Sequence, residues 1–302
     1  CRCCGRSRNS RRRHSKALNT VSRFDAITFD FWDTLVRADT AATRVQRRLA
    51  IAEVLVSHGL TAEHDEINAA FDEAFRRFDA SWGLGEQFTG EHAAETVLEV
   101  LGHTNDEQVR IRIIDAYLSA PRTMQLDLTD NLVSTLSVLK QAGLRIGIVC
   151  DVGLTPSPVL RDYLEGHGVL AMFDNWSFSD EVGVYKPHAA IFEHALAGLG
   201  GIDPSRAAHI GDLRRTDIAG AKAMGMLALR YRGVTDDDPE HGPEGDVVIE
   251  GNSTPVREGS AVWIPEGLEH YAHNTGSVPL RLLYMFARDK FSDVTYSFPG
   301  EN

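Results

Sequence analysis

The stretch Phe24-Asp-Ala-Ile-Thr-Phe-Asp30-Phe-Trp-Asp-Thr-Leu35 decides how the chain is read. Its first part is a short apolar run and predicts a buried strand over 24–29. The run stops at a carboxylate, Asp30. An acid at the exit of a buried strand is either a turn former or a functional group, so the other strand exits matter.

Downstream the pattern alternates. A helix is predicted from about Asp130 to Ala142, stopped by Gly143, and Arg145-Ile-Gly-Ile-Val-Cys150 follows as a buried strand. Further strands are predicted at Asn175–Phe178, Ala207–Gly211 and Met226–Tyr231, with helices near 157–166, 188–199 and 216–224 between them. Strands alternating with helices imply βαβ crossovers and an α/β fold with a doubly wound, parallel, Rossmann-like sheet. Such sheets bind ligands beyond the carboxyl ends of their strands. Those ends carry Asp30, then Cys150-Asp151, then Lys186 in Val184-Tyr-Lys-Pro187, and Asp212 and Asp217 in Gly211-Asp-Leu-Arg-Arg-Thr-Asp217. Carboxylates and an ammonium gathered at one sheet edge suit displacement at an electrophile. A hard cation on oxygen ligands neutralises the substrate and lets an anionic nucleophile approach, while the lysine stabilises developing charge.

This ordered set resembles the four motifs of the haloacid dehalogenase (HAD) superfamily, over roughly residues 23–245. The resemblance implies a hydrolase in which Asp30 is the nucleophile, forming an aspartyl intermediate, and also a ligand of Mg²⁺. The backbone carbonyl of Trp32 would be a second ligand, Asp212 a third, and Asp217 a ligand or a carboxylate behind them. Cys150 takes the place of the Ser or Thr that binds the transferred group, Asp151 stands beside it, and Lys186 matches the family lysine. The implied organisation is a core over 23–38 and 127–245 with a helical cap over 39–126. There Ile67, Phe71, Phe75 and Phe78 fall on one helical face, Thr104 with Glu107 has the pattern of a capping box, and Pro121 closes the region.

The sequence departs from the family at Trp32, where phosphatases carry the acid that protonates the leaving group. Indole cannot do so, and Asp33 points to the other side of an extended backbone. Cys150 is the second departure, a weaker donor than a hydroxyl. Two alternatives to the phosphatase-type reading follow: a metal-independent, dehalogenase-like carbon hydrolase, or a binding or scaffold protein with a decayed site.

The termini read differently. Arg2, Arg6, Arg8, Arg11, Arg12, Arg13 and Lys16 make 1–22 a basic tail of disordered type, whereas the whole chain of 302 residues has net charge −12. The folded part is therefore not expected to bind nucleic acid. Cys1, Cys3, Cys4 and Cys150 form neither a zinc pattern nor a disulfide framework, and no apolar run approaches the roughly 18–20 residues that cross a bilayer. A cytoplasmic enzyme of a small-molecule substrate, with no membrane partner, is expected. The acidic run Thr235–Gly245 reads as a loop or linker. Beyond it, 246–302 reads as all-β, beginning with Val247–Glu250. Within it, Gly259-Ser-Ala-Val-Trp-Ile-Pro265-Glu-Gly267-Leu-Glu-His270-Tyr-Ala-His-Asn274 resembles the second cupin motif, which implies a partial cupin-like segment able to pair with a second copy. With His270 as its one matched ligand, this segment is not expected to hold a metal within one chain.

Overall fold

The computed structural model describes residues 24–103, 106–124 and 126–249. The basic tail, Cys1, Cys3, Cys4, Thr104 and the cupin-like stretch with His270 and His273 lie outside the described residues.

The strand at the start is β1 (Ala26–Phe29), buried along its whole length because both faces of the sheet are covered. Four helices follow: α1 (Thr40–Ser57), α2 (His64–Leu84), α3 (Gly90–Leu101) and α4 (Glu107–Ser119). The α/β alternation then runs α5 (Leu132–Gln141), β2 (Arg145–Cys150), α6 (Ser157–Gly166), β3 (Asn175–Phe178), the single turn α7 (Ser179–Val182), α8 (Ala189–Gly198) and β4 (Ala207–Gly211). It closes with α9 (Ala219–Met224), β5 (Leu227–Tyr231) and β6 (Val247–Ile249). Among the described residues these strands pair in parallel, in the order β3-β2-β1-β4-β5-β6. The order reverses between β1 and β4, so the exits of these strands, with β2 beside them, form the crevice where such sheets take ligands.

The sheet's two faces pack separately. Ile27, Phe29, Ile146, Ile148 and Leu136 lie in one apolar cluster, and Ala26, Val149, Ile191, Phe192 and Ala228 in the other. Helices α1–α4 build a third cluster of their own around Ile51, Phe71, Val97, Ile113 and Tyr117.

Three sequence expectations are corrected. Val247–Ile249 does not open a separate all-β segment: it pairs with β5 as the edge of the parallel sheet, which therefore extends past residue 245. The run Thr235–Gly245, read as a loop or linker, is a loop between β5 and β6 rather than a linker between domains. Arg230, 1% exposed, reaches out of β5 to Asp236 and Glu244, and Arg214 binds the backbone of Asp237 and the carboxylate of Glu244, so the loop is pinned to the core. The α2 stripe is Ile67, Phe71 and Ala74, all buried, while Phe75 is 55% exposed. At 100° per residue, position 74 falls about 20° from position 67 and position 75 about 80°, so alanine rather than phenylalanine faces the core. Finally, α4 is capped by Asp106, whose carboxylate accepts from the amides of Gln108 and Val109.

The corrected stripe sets two substitutions apart. Phe71→Ala should cost about 3–5 kcal/mol in urea unfolding, as a large buried ring is lost. Phe75→Ala should stay within about 0.5 kcal/mol, as an exposed surface change.

Candidate active site

The exits of β1 and β4 bring Asp30, Asp212 and Asp217 together, all buried, with one oxygen of each within 4.8 Å of the others. Asp30 is fixed by its own amide, which donates to the carbonyl of Ile210 across the β1–β4 pair at 2.8 Å. Lys186, 3% exposed, arrives from the turn before α8 and puts its Nζ 2.5 Å from Asp30 Oδ1 and 2.6 Å from Asp217 Oδ1. Asp217 also accepts from His209 Nε2 at 3.0 Å through Oδ1, and from the amide of Leu213 at 3.0 Å through Oδ2. Asp217 thus serves three donors, whereas Asp212 has one hydroxyl, Thr235 Oγ1 at 3.2 Å, on its Oδ2.

Gly211 is required here. A Cβ at that position would lie 2.2 Å from the carboxyl carbon of Asp217, so any side chain would evict that carboxylate. The chain between Asp212 and Asp217 is a turn of π-helix, Arg214–Ile218, a bulge that swings Asp217 back over Gly211.

Electrostatics follow from this packing. Burial pushes the Asp30 carboxyl up; Lys186 pulls it down, Asp217 pushes it up, and the balance sits at about 7. Burial drives Asp212 well above the carboxylate range, reinforced by the charges of Asp30 and Asp217. Burial also opposes the charge on Asp217, but Lys186 and His209 outweigh it and bring it down to about 2. Lys186 is likewise disfavoured as a cation by burial, yet Asp217 and Asp30 raise it well above its ordinary value. Three carboxylates against one ammonium leave two negative charges uncompensated when all are ionised. That excess, on oxygen donors alone, matches a hard divalent cation.

The other expected residues lie around this centre. Cys150 ends β2 fully buried, and burial raises its thiol, so it stands as a neutral S–H. Asp151 holds other parts of the protein: Oδ1 accepts from the amide of Lys186 at 2.9 Å and Oδ2 from the indole of Trp82, at the end of α2, at 3.2 Å. Trp32 is half-buried and packs edge-on against Phe31. Asp33 adopts φ 52 and caps its own turn, Oδ1 accepting from the amide of Ala38 at 2.9 Å.

Sequence reading missed His209. It stands opposite Thr28 in the β1–β4 register, both 0% exposed, with Thr28 Oγ1 2.9 Å from His209 Nδ1. Because Asp217 is ionised, His209 Nε2 carries the proton, and burial keeps the ring neutral. Nδ1 then accepts from the Thr28 hydroxyl. The available signal was a polar pair inside two central strands that are otherwise apolar. Trp82 and Arg215 were also missed: the Arg215 guanidinium lies 4.0 Å from the Trp82 ring centroid.

A buried aspartate–lysine–aspartate cluster at the switch point of a doubly wound parallel sheet places the chain in a class of α/β hydrolases. Residues 24–225 match the model for haloacid dehalogenase-like hydrolases, and the chain belongs to that family. It is 29% identical over 222 residues to haloacid dehalogenase-like hydrolase domain-containing protein 3 of Bos taurus, covering 70% of this chain and 84% of that one. It is 26% identical over 217 residues to a glyceraldehyde 3-phosphate phosphatase of Methanocaldococcus jannaschii, covering 70% and 89%. Among solved structures, 2-haloacid dehalogenase from Pseudomonas syringae pv. Tomato DC3000 superposes with a TM-score of 0.53 at 21% identity, over 75% of this chain and 94% of that one. The latter likeness is one of fold. No helix among the described residues is long and apolar enough to cross a membrane.

The buried ion cluster yields a stability test. Lys186→Met strands the carboxylates and should destabilise the metal-free protein by about 3–5 kcal/mol in denaturant unfolding at pH 8. The loss should shrink at pH 5, where Asp30, with its value near 7, is protonated.

Proposed function

We propose that the protein is a Mg²⁺-dependent phosphatase that transfers a phosphoryl group from a small phosphorylated or otherwise activated metabolite to Asp30 and then to water. The observation that carries this reading is the Lys186 ammonium shared by Asp30 and Asp217 beside an uncompensated Asp212. Relatives named as phosphatases support it.

Asp30, Asp212, the backbone carbonyl of Trp32 and the remaining lone pair of Asp217 would hold Mg²⁺, which when bound neutralises negative charge on the substrate's oxygens. Lys186 holds one oxygen of Asp30 and leaves the other to attack phosphorus in line with the leaving oxygen. The ammonium then faces the transferred group and stabilises its developing charge. Asp217 keeps Lys186 in place, with His209 and the Leu213 amide fixing Asp217 in turn. The Cys150 thiol offers a weak donor to a phosphoryl oxygen. Helices α1–α4 serve as the cap: Trp82 rests on Asp151, and Tyr185, the neighbour of Lys186, donates its hydroxyl to the carbonyl of Phe88 at 2.7 Å. A cap in this position excludes water during the first displacement.

With Trp32 in the acid's place the leaving group departs without a proton, which favours acyl phosphates and other good leaving groups. A metal-independent carbon hydrolase would have no need of the second uncompensated carboxylate.

In the presence of Mg²⁺ the protein should hydrolyse acetyl phosphate, and Asp30→Asn should abolish this. Hydrolysis by that variant at the wild-type rate would remove the proposal. Trp32→Asp should raise turnover of ethyl phosphate, a poor leaving group, by about 10²-fold or more.

The folded-state value of Asp30, about 7, lies above the ordinary 3.8. The metal-free protein is therefore favoured below the lower value and loses that stability as pH rises through the upper one. Mg²⁺ needs the ionised carboxylates, so its stabilisation grows in the same direction. The rise in thermal midpoint on adding Mg²⁺ should be larger at pH 8 than at pH 5, and equal rises would contradict a cation held by Asp30.

A further inference from the structure

Arg215 leaves the π-turn between Asp212 and Asp217 and places its guanidinium over the ring of Trp82, Cζ 4.0 Å from the centroid. Trp82 stacks in turn on Phe78, at 6.4 Å and 13° between planes, and its indole nitrogen donates to Asp151. The guanidinium therefore bridges from the exit of β4 to the end of α2, over the side of the site where Asp151 holds the Lys186 amide.

Among the described residues no carboxylate forms an ion pair with Arg215, although acids are plentiful close by in sequence. Asp236 is taken by Arg230 and Arg232, Glu244 by Arg230 and Arg214, and Asp237 by the Arg214 amide and His241. Asp238 caps the short turn that follows it. In a chain of net charge −12, a half-buried arginine is thus held against an aromatic face, its guanidinium unpaired among the described residues. The edge of a guanidinium presents parallel N–H groups, the geometry that recognises a carboxylate or phosphate by two hydrogen bonds. The Trp82 ring against it restrains the guanidinium beforehand, so less freedom is lost when an anion binds.

We propose that Arg215, positioned by Trp82, binds a second anionic group at the far end of the substrate, so that the preferred substrates are small metabolites with a phosphate at one end and an anion at the other. This rests on the phosphatase reading. It adds a residue of the core, from the loop that carries the site's own carboxylates, as the determinant of substrate charge.

Three two-carbon phosphates that differ only in their end group test it: 2-phosphoglycolate with a carboxylate, ethyl phosphate with a methyl, and O-phosphoethanolamine with an ammonium. Their dissociation constants are measured by calorimetry on the full chain carrying Asp30→Asn, which prevents turnover, with Mg²⁺ present. 2-Phosphoglycolate should bind about tenfold or more tighter than ethyl phosphate, with O-phosphoethanolamine weakest. Adding Arg215→Gln should bring 2-phosphoglycolate to the level of ethyl phosphate, and Arg215→Glu should place O-phosphoethanolamine first. Ethyl phosphate reports whether each variant still folds and holds phosphate. If the three ligands bind alike, or if their order is the same in both variants, the role of Arg215 is overturned and the phosphate site stands. If none binds with Arg215 intact, the phosphatase reading fails and this proposal with it.

Discussion

The rest of the site depends on one ammonium buried between two carboxylates. A lysine taken out of water is costly unless its charge is matched and its protons are accepted, and Asp30 and Asp217 do both for Lys186. This constrains the backbone. The exits of β1 and β4 and the turn before α8 must meet within hydrogen-bond reach, Gly211 must lack a side chain so that Asp217 can fold back, and the π-turn must supply its extra residue. His209 and Thr28 continue the network into the sheet, and each of the two is hydrogen-bonded there. The arrangement is overcompensated in the negative sense, with Asp212 and half of Asp30 left to protons or to a cation.

Much of this was legible in the sequence because parallel central strands are apolar throughout and end abruptly at polar residues. β2, β3 and β4 begin and end where the pattern places them; Asp30 and Asp212 stood out where apolar strands end, and Lys186 and Asp217 as later members of the same ordered set of motifs. What was not legible depends on non-local pairing. Val247–Ile249 reads as a strand in any sheet, and its partner β5 is reached across a loop whose composition suggests a tether. That loop is bound because Arg214 and Arg230 are buried beneath it, and arginine is a residue that pattern reading assigns to the surface. The same holds at the site. His209 is one polar residue in a strand, meaningful only once the register sets it opposite Thr28. Trp82 and Arg215 meet only because of how α2 sits on the sheet edge.

The charge balance of the chain also takes on a structural meaning. Its acidic excess does not spread evenly: Asp236 and Glu244 are taken by Arg214, Arg230 and Arg232, and Thr235 at the head of that loop donates to Asp212. The buried arginines thus hold the strand-to-strand loop that orients a carboxylate of the site. Three carboxylates against one ammonium leave the cluster negative when all are ionised, and the Arg215 guanidinium over Trp82 has no carboxylate partner among the described residues.

The helical region is joined to the sheet at the residues that position the lysine. Trp82, at the end of α2, donates to one oxygen of Asp151; the other oxygen accepts from the Lys186 amide. The preceding residue, Tyr185, donates its hydroxyl to Phe88 just beyond α2. These contacts close a ring that runs from α2 through Asp151 and Lys186 to Tyr185 and back to the segment before α3. Arg47 in α1 adds a separate tie to the loop after β2, giving hydrogen bonds to the carbonyl of Leu154 at 2.7 Å and the hydroxyl of Thr155 at 3.1 Å. A shift of the helices cannot leave the backbone of Lys186 untouched unless the Trp82–Asp151 and Tyr185–Phe88 bonds both break. Seating of the helical region and placement of the ammonium are therefore one structural event, which ties the shape of whatever lies beneath α2 to the readiness of Asp30.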